Sequence, residues 1–206
     1  MPLDLWLAFA AASAVLLVIP GPTILLVLSY ALSQGRRVAV AMALGVALGD
    51  LVAMSASLAG LGALVLASAT LFTLLKWIGA AYLIWLGVRL IRSRPVLAAE
   101  IAPEPRPARA IFAHAATVTA LNPKSIAFFI AFVPQFLRPD AALAPQFAVL
   151  IATFVGLAAL NALAYALLAD RLRARIRRPA VLRWMTRAGG GALIGMGALT
   201  ASAARG

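Results

Sequence analysis

Long apolar runs divide this chain into six segments, each long enough to cross a membrane. A transmembrane helix needs about 20 predominantly apolar residues. Runs of that kind occupy residues 4–33, 38–60, 69–91, 111–137, 146–169 and 184–204. The pattern predicts an all-α integral membrane protein in which residues 1–206 form a single domain of six transmembrane helices.

Composition supports a membrane location. The chain has 206 residues, of which 64% are hydrophobic and 12% charged, whereas soluble domains average about 45–50% apolar and about 25% charged residues. The first run has no basic residue before Arg36 and is longer than the apolar core of a signal peptide, so we expect it to remain as helix one. The chain lacks cysteine, which excludes disulfides, thiolate metal sites and thiol redox chemistry.

The positive charges predict the orientation in the membrane. The net charge is +12, and arginines cluster around the ends of the first, third and fifth runs and the start of the sixth: Arg36 and Arg37; Arg89, Arg92, Arg94, Arg106 and Arg109; Arg171, Arg173, Arg175, Arg177, Arg178, Arg183 and Arg187. The positive-inside rule then places these loops in the cytoplasm and both termini outside. The high positive charge is explained by its role in orienting the chain in the membrane, together with attraction to anionic lipid. We therefore expect a membrane-lipid partner and no nucleic acid.

Asp50 is the one carboxylate between residues 38 and 91, and it interrupts a segment that otherwise has the composition of membrane interior. An ionised Asp at the bilayer centre costs about 2.5–3.5 kcal/mol on insertion scales. Such a residue needs a partner, a water path or a bound proton. Asp50 is therefore the first functional candidate, as a proton-coupling site.

Two of the predicted helices contain prolines at membrane depth. Pro20, Gly21 and Pro22 interrupt the first run, and Asn122 with Pro123 interrupt the fourth. Proline removes a backbone donor and clashes with the preceding turn, so each site should break or kink its helix. Packing kinks are the plainer interpretation, but paired breaks in the two halves are typical of a transporter binding site. We expect these five residues to bind substrate.

Faint internal similarity predicts an inverted repeat of three plus three helices. At an offset of 111, residues 45–50 align with residues 156–161, which makes Asp50 and Asn161 equivalent. At an offset of 110, four residues of the third run recur in the sixth: Gly79, Leu83, Ile84 and Gly87 match Gly189, Leu193, Ile194 and Gly197. Three crossings in each half would reverse the second half in the membrane. Asn161 therefore joins the candidate substrate site.

Lys124 follows the break in the fourth run, about 13 residues or roughly 20 Å from the start of that run. Its ammonium could reach the cytoplasmic interface, but this depth favours an interior position facing Asp50 or a substrate carboxylate. His114 lies near the cytoplasmic end of the same run, where a solvated or capped role is favoured over a proton relay.

Small residues should bring helices together in the bundle. Gly45 and Gly49, like Gly191 and Gly195, have the GxxxG spacing that lets helix backbones approach closely.

A membrane-embedded enzyme is a weaker alternative, because metal hydrolysis needs clustered ligands and the chain has one His. A cation or metal-ion exporter or channel stays open, since Asp50 and Asn161 could coordinate a cation.

The chain also resembles a known family, the LysE/RhtB amino-acid exporters. The likeness rests on Pro20-Gly21-Pro22, Gly35-Arg36-Arg37, Gly45 with Gly49-Asp50, residues 76–83 with Leu86-Gly87, Asn122-Pro123-Lys124, Phe128-Phe129 and Pro134-Gln135-Phe136. The resemblance implies a six-helix exporter of amino acids or derivatives in the bacterial inner membrane. It also implies drive by the proton gradient, a homodimer, and substrates like homoserine, threonine or leucine.

The combined hypothesis is proton antiport by alternating access, without a cofactor or bound metal. Asp50 would carry the proton in one state and would pair with Lys124 or the substrate ammonium in another. Backbone carbonyls near the first break suit an amino group, while Asn122, Lys124 or a half-helix N-terminus suits a carboxylate. With so few acids inside the membrane, small neutral amino acids are favoured over lysine or arginine.

Overall fold

The computed structural model describes residues 1–19, 21–92, 104–138, 141–176 and 179–203. This part of the chain is helical, which confirms the all-α prediction. The α-helices are α1 Leu3–Val18, α2 Pro22–Gln34, α3 Ala39–Ala67, α4 Ala69–Arg92, α5 Ala108–Ala120, α6 Pro123–Ala131, α7 Leu143–Ile176 and α8 Pro179–Ala203. Short 3-10 helices occupy Gly35–Val38 and Val133–Phe136.

The first and fourth apolar runs are each divided into two α-helices. The helix is interrupted between α1 and α2 and again between α5 and α6, at the positions that the prolines predicted. Pro22 and Pro123 are the first residues of α2 and α6. A proline costs no hydrogen bond there, because the first N–H groups of a helix have no partner within it. The prolines therefore begin new helices, and Pro20 lies outside the described residues.

Two helices extend beyond their predicted ends. α3 continues to Ala67, beyond the predicted end at residue 60, and α7 covers Leu143–Ile176 where the prediction was 146–169. By contrast, α4 ends at Arg92, one residue after its predicted end at residue 91. Most of the arginine-rich segment between the fifth and sixth runs is therefore helix rather than loop. Hydropathy marks only the apolar part of a helix, while Arg, Ala and Leu all have high helix propensity and continue it into the polar region.

By length and composition, three segments of the described chain qualify as membrane spans. They are Pro22–Ala63, Thr73–Arg92 and Leu143–Ala169, and α1 is a shorter apolar helix of 16 residues. The first of these segments contains Gly35, which caps α2 with a φ of 73°. This left-handed conformation favours glycine and ends α2 before α3 begins.

Glycines set the closest helix contacts. A Cβ atom at Gly45 would lie 2.5 Å from the Phe112 carbonyl oxygen, and one at Gly49 would lie 2.5 Å from that of Ala116. The predicted close approach at Gly45 and Gly49 is thus confirmed, and it presses α3 against α5. The matching expectation for Gly191 and Gly195 is wrong, because a Cβ at either position would meet no atom of the described residues within 4 Å.

Two reciprocal glycine contacts build the crossing of α4 and α8. A Cβ at Gly87 would lie 2.5 Å from the Gly190 carbonyl oxygen, and a Cβ at Gly197 would lie 2.7 Å from the Ala80 carbonyl oxygen. At the sequence offset of 110, Gly87 is equivalent to Gly197, and Ala80 is equivalent to Gly190. The contact of Gly87 with Gly190 is therefore equivalent to the contact of Gly197 with Ala80. α8 therefore uses these glycines, rather than Gly191 and Gly195, to approach α4.

A cluster of buried phenylalanines packs α1, α6 and α7 together. The phenylalanine cluster consists of Phe9, Phe128, Phe129, Phe132, Phe136 and Phe154. Its ring centroids approach to 5.2 Å between Phe128 and Phe132 and to 4.8 Å between Phe129 and Phe154. The cluster lies toward the end of the molecule where α1 begins and where α6 ends.

Candidate functional site

The broken end of α1 is the centre of the site. An α-helix leaves its last four carbonyl oxygens without partners inside the helix. Here all four, on residues 16–19, accept side-chain hydrogen bonds. Lys124 Nζ donates to Leu16 O at 3.0 Å and to Ile19 O at 2.9 Å, Asn161 Nδ2 to Leu17 O at 3.0 Å, and the Tyr165 hydroxyl to Val18 O at 3.1 Å. We call these four oxygens the α1 carbonyl cluster.

Asn122 connects the second break to the first. Its Oδ1 accepts a hydrogen bond of 3.1 Å from the Lys124 backbone N–H and so caps α6. Its Nδ2 donates to Thr23 Oγ1 at 3.1 Å, and the Thr23 hydroxyl lies 3.3 Å from that of Thr119. Asn122 is 3% exposed, so this polar chain is buried. It fixes the start of α2 relative to the start of α6.

Asp50 extends from α3 into the same region. Its side chain is 2% exposed, and its Oδ1 is buried without a hydrogen-bond partner among the described residues. The Lys124 ammonium donates to the α1 carbonyl cluster instead. Within the described chain, no group of three or more His, Cys, Asp or Glu side chains is placed to hold a metal ion. Asp50 therefore presents a carboxyl oxygen with unused bonding capacity.

A small inner cavity brings most candidate residues together. Its volume is about 20 Å³. The lining includes five residues predicted from the sequence: Gly21, Asp50, Asn122, Lys124 and Asn161. A cavity of this size holds about one water molecule, since about 10–15 Å³ is the minimum for one. A molecule as large as an amino acid does not fit in this cavity.

A second cavity, which we call the vestibule, shares Gly21, Asn122 and Lys124 with the inner cavity. Its volume is about 320 Å³, and it is lined by Gly21, Pro22, Leu86, Arg89, Leu90, Asn122, Pro123, Lys124 and Leu193. The remaining predicted residues, Pro22 and Pro123, thus line the vestibule rather than the inner cavity. Small-molecule pockets measure about 300–1,000 Å³. The vestibule is therefore large enough for a small metabolite.

Lys124 is shared by the two cavities. It is 9% exposed and lines both of them. A Cβ atom at Gly21 would lie 3.3 Å from Lys124 Nζ, so the lysine crosses directly over the first break. Lys124 is therefore buried inside the protein, which agrees with the interior position predicted from the sequence.

Sequence reasoning missed Tyr165, Thr23 and Thr119 as parts of the site. Tyr165 lies four residues after Asn161, so both side chains share one face of α7 and reach neighbouring carbonyls. Thr23 follows the first break directly, and Thr119 precedes Asn122 by three residues. Their positions next to the breaks were the available signal.

His114 lies apart from both cavities. Its Nδ1 is 3.0 Å from the Tyr30 hydroxyl, and the two rings meet edge to face at 5.8 Å. Tyr30 is fully buried on α2, so the pair joins α2 to α5. His114 is half-buried and hydrogen-bonded, so it takes the role of a capped side chain that joins two helices.

Helix breaks that face each other around a buried carboxyl group and a buried lysine define a membrane translocator. The chain matches the LysE type translocator family over residues 14–203, and it belongs to that family. This confirms the resemblance seen in the sequence and the expectation of a multi-pass membrane transporter rather than an enzyme.

Three relatives illustrate the similarity. An uncharacterized membrane protein of Vibrio cholerae is 36% identical over 98% of this chain and 99% of its own length. A homoserine/homoserine lactone efflux protein of Salmonella typhimurium is 32% identical over 98% of both chains. A leucine efflux protein of Klebsiella pneumoniae is 30% identical over 66% of this chain and 65% of its own. No solved structure gives a significant match.

Proposed function

We propose that this protein exports small amino acids or their derivatives, resembling homoserine, threonine or leucine, across the bacterial inner membrane. The observation that carries the proposal is that Asp50, Asn161 and Lys124 line one cavity between two broken helices. The names of the relatives, homoserine/homoserine lactone and leucine efflux proteins, support the same substrate class.

The site has complementary places for the two charged groups of an amino acid. The C-terminal end of α1 and Asp50 provide negative charge, which suits an ammonium group. The N-termini of α2 and α6, with Asn122 at the latter, provide positive dipole ends that suit a carboxylate. Asp50 is the one acidic residue in the lining of the inner cavity. A second positive charge on the substrate would have no further partner, which favours neutral side chains.

Proton antiport is the proposed driving reaction, and Asp50 is its proton site. A proton on Asp50 removes the cost of a buried negative charge when the substrate is absent. Loss of that proton provides a carboxylate for the substrate ammonium. Because one acid would serve the proton and the substrate in turn, the two fluxes are coupled in opposite directions.

The proposed orientation has six crossings, an inverted repeat and both termini outside. The matching contacts of Gly87 and Gly197 across α4 and α8 support the repeat. In this orientation the phenylalanine cluster lies toward the outer side, and the vestibule lies toward the cytoplasm, where Arg89 and Arg92 end α4. A substrate would enter the vestibule from inside. The remaining proposed partners are membrane lipid and a second copy of the chain in a homodimer.

Reporter fusions test the orientation. Fusions after Arg37 and Arg106 should report the cytoplasm, because the adjacent loops carry the arginines. Fusions after Ala67 and at the C-terminus should report the outside. Alkaline phosphatase and fluorescent-protein activities provide the two opposite readouts. A cytoplasmic C-terminus would contradict the arrangement of six crossings.

Flux from liposomes tests the function itself. Purified protein in liposomes loaded with labelled L-homoserine, L-threonine or L-leucine should release at least one of them when the outside is acidic. Release should be much slower without a pH gradient, since antiport needs entering protons. Protein-free liposomes and labelled L-lysine serve as controls. Transport of a divalent metal ion with no amino-acid flux would overturn the proposal in favour of a cation exporter.

A further inference from the structure

The α1 carbonyl cluster is a cation site, and Lys124 fills it. The end of a helix carries about −0.5 elementary charge at its carbonyl groups. Lys124 Nζ donates to two of the four oxygens, at 3.0 and 2.9 Å, and its side chain is 9% exposed. The other two oxygens are satisfied by Asn161 and Tyr165, which are neutral donors. The two oxygens that bind Lys124 therefore hold the positive charge.

The group that occupies this site is chemically equivalent to part of the proposed substrate. A lysine side chain ends in a primary ammonium with three donors on a flexible alkyl stem. An amino acid carries the same ammonium group on its α-carbon. Leu16 O and Ile19 O would accept hydrogen bonds from either one.

The position of Lys124 places it on the route of the substrate. It belongs to α6, whereas the oxygens that it binds belong to α1, so its side chain joins the two broken helices. It also lines both the vestibule and the inner cavity, beside Gly21. A ligand that moves from the vestibule to Asp50 must displace this side chain.

We propose that Lys124 is an intramolecular competitor of the substrate ammonium. It holds Leu16 O and Ile19 O when the carrier is empty, and the ammonium of an entering amino acid replaces it there. This inference rests on the proposed function, because it takes the substrate to be an amino acid.

The competitor role has a consequence for specificity. After displacement, the Lys124 ammonium needs a new anionic partner, because a buried charge without one is strongly destabilising. The carboxylate of the same substrate can provide it, while Asp50 remains within the inner cavity. A simple amine has no carboxylate to offer. The exchange therefore selects ligands that carry both an ammonium and a carboxylate.

Chemical rescue of Lys124→Ala tests the inference. This substitution removes three methylene groups and the ammonium, which together correspond to n-propylammonium. The full-length variant is purified in detergent, and its thermal unfolding midpoint is measured against n-propylammonium chloride. Tetramethylammonium chloride is the matched salt, because it has the same charge but cannot donate a hydrogen bond. The parent protein and Lys76→Ala, which removes the other lysine of the chain, are the protein controls.

The expected result is a rise in the midpoint of Lys124→Ala by about 3–6 °C when n-propylammonium is present at about ten times its dissociation constant. Tetramethylammonium should give no rise. The parent and Lys76→Ala should respond to neither salt, because Lys124 still fills their site. L-Homoserine should also stabilise Lys124→Ala, and 4-hydroxybutanoate, which lacks the ammonium, should not.

An absent response to n-propylammonium, or an equal response to tetramethylammonium, would overturn the inference. If Lys124→Ala does not fold alone, extraction in each salt supplies the test. Recovery of monodisperse protein in n-propylammonium only would support the inference, and failure in both salts would overturn it.

The liposome assay distinguishes the role of Lys124 from the proposed function. If n-propylammonium rescues Lys124→Ala but the parent exports no amino acid, the cation site is supported and the proposed function is wrong. If the parent exports amino acids but Lys124→Ala is not rescued, the proposed function is supported and only the role of Lys124 is wrong.

Discussion

Replacing Asp50 with Asn should abolish uphill export while substrate exchange continues. Asparagine keeps the size and hydrogen bonding of the side chain but cannot release a proton. A one-to-one antiporter at a pH gradient of one unit can sustain a substrate gradient of about tenfold, and the variant should sustain none. Exchange of labelled for unlabelled substrate needs no net proton movement, so it should persist. Both fluxes can be measured in liposomes that contain the same amount of protein.

The control for this prediction is Asp4→Asn, the same chemical change at an exposed position in the first turn of α1. It should leave both fluxes unchanged. If Asp50→Asn drives the substrate against its gradient as well as the parent does, another group carries the proton.

Loss of folding in Asp50→Asn would instead indicate a structural charge pair with Lys124. Both residues line the inner cavity, and removal of one buried charge leaves the other uncompensated. In that case the double variant Asp50→Asn with Lys124→Gln should restore folding without restoring coupling. Size-exclusion chromatography measures the first property and liposome flux the second.

The helix breaks could be predicted from the sequence because their cause is local. Pro22 and Pro123 dictate where a helix can begin whatever surrounds them. Asp50 was equally recognisable, since a carboxylate is rare in an apolar run. These residues required no knowledge of their neighbours in three dimensions.

The partners of the α1 carbonyl cluster could not be predicted in the same way. Tyr165 donates to Val18 O across 147 positions of the sequence, and Lys124 donates to Leu16 O across 108. Such contacts depend on how α6 and α7 dock against α1. From the sequence we expected the carbonyls at the first break to suit a substrate amino group, whereas side chains of the folded chain already donate to all four.

Glycine spacing illustrates the same limit. Gly45 and Gly49 face α5, but Gly191 and Gly195, which have the same spacing, face no neighbour in the described part of the chain. Spacing identifies the residues that permit close approach, and the rotation of a helix decides which of them are used. For α8 the rotation turns Gly190 and Gly197 toward α4.

Substitution of Asn122 should separate helix capping from the connection between the two breaks. Asn122→Ala removes the cap of α6, which is worth about 0.5–2 kcal/mol, and the hydrogen bond to Thr23, worth about 1 kcal/mol. Together these losses should lower the unfolding midpoint by about 3–12 °C. Apparent substrate affinity should fall by about tenfold, because α2 and α6 are then no longer held in one arrangement.

Asn122→Ser is the matched variant, since serine also caps helices well but is too short to reach Thr23 Oγ1. It should recover the share of the stability that the cap provides, about one to two thirds of what Asn122→Ala loses, while export stays as weak as in the alanine variant. Thermal unfolding in detergent and initial export rates in liposomes measure the two effects on the same preparations. If Asn122→Ser exports like the parent, the cap alone matters, and the polar chain from Asn122 through Thr23 to Thr119 has no part in substrate binding. If it exports weakly but unfolds closer to the parental temperature than Asn122→Ala does, the connection between the two broken helices is needed for transport itself.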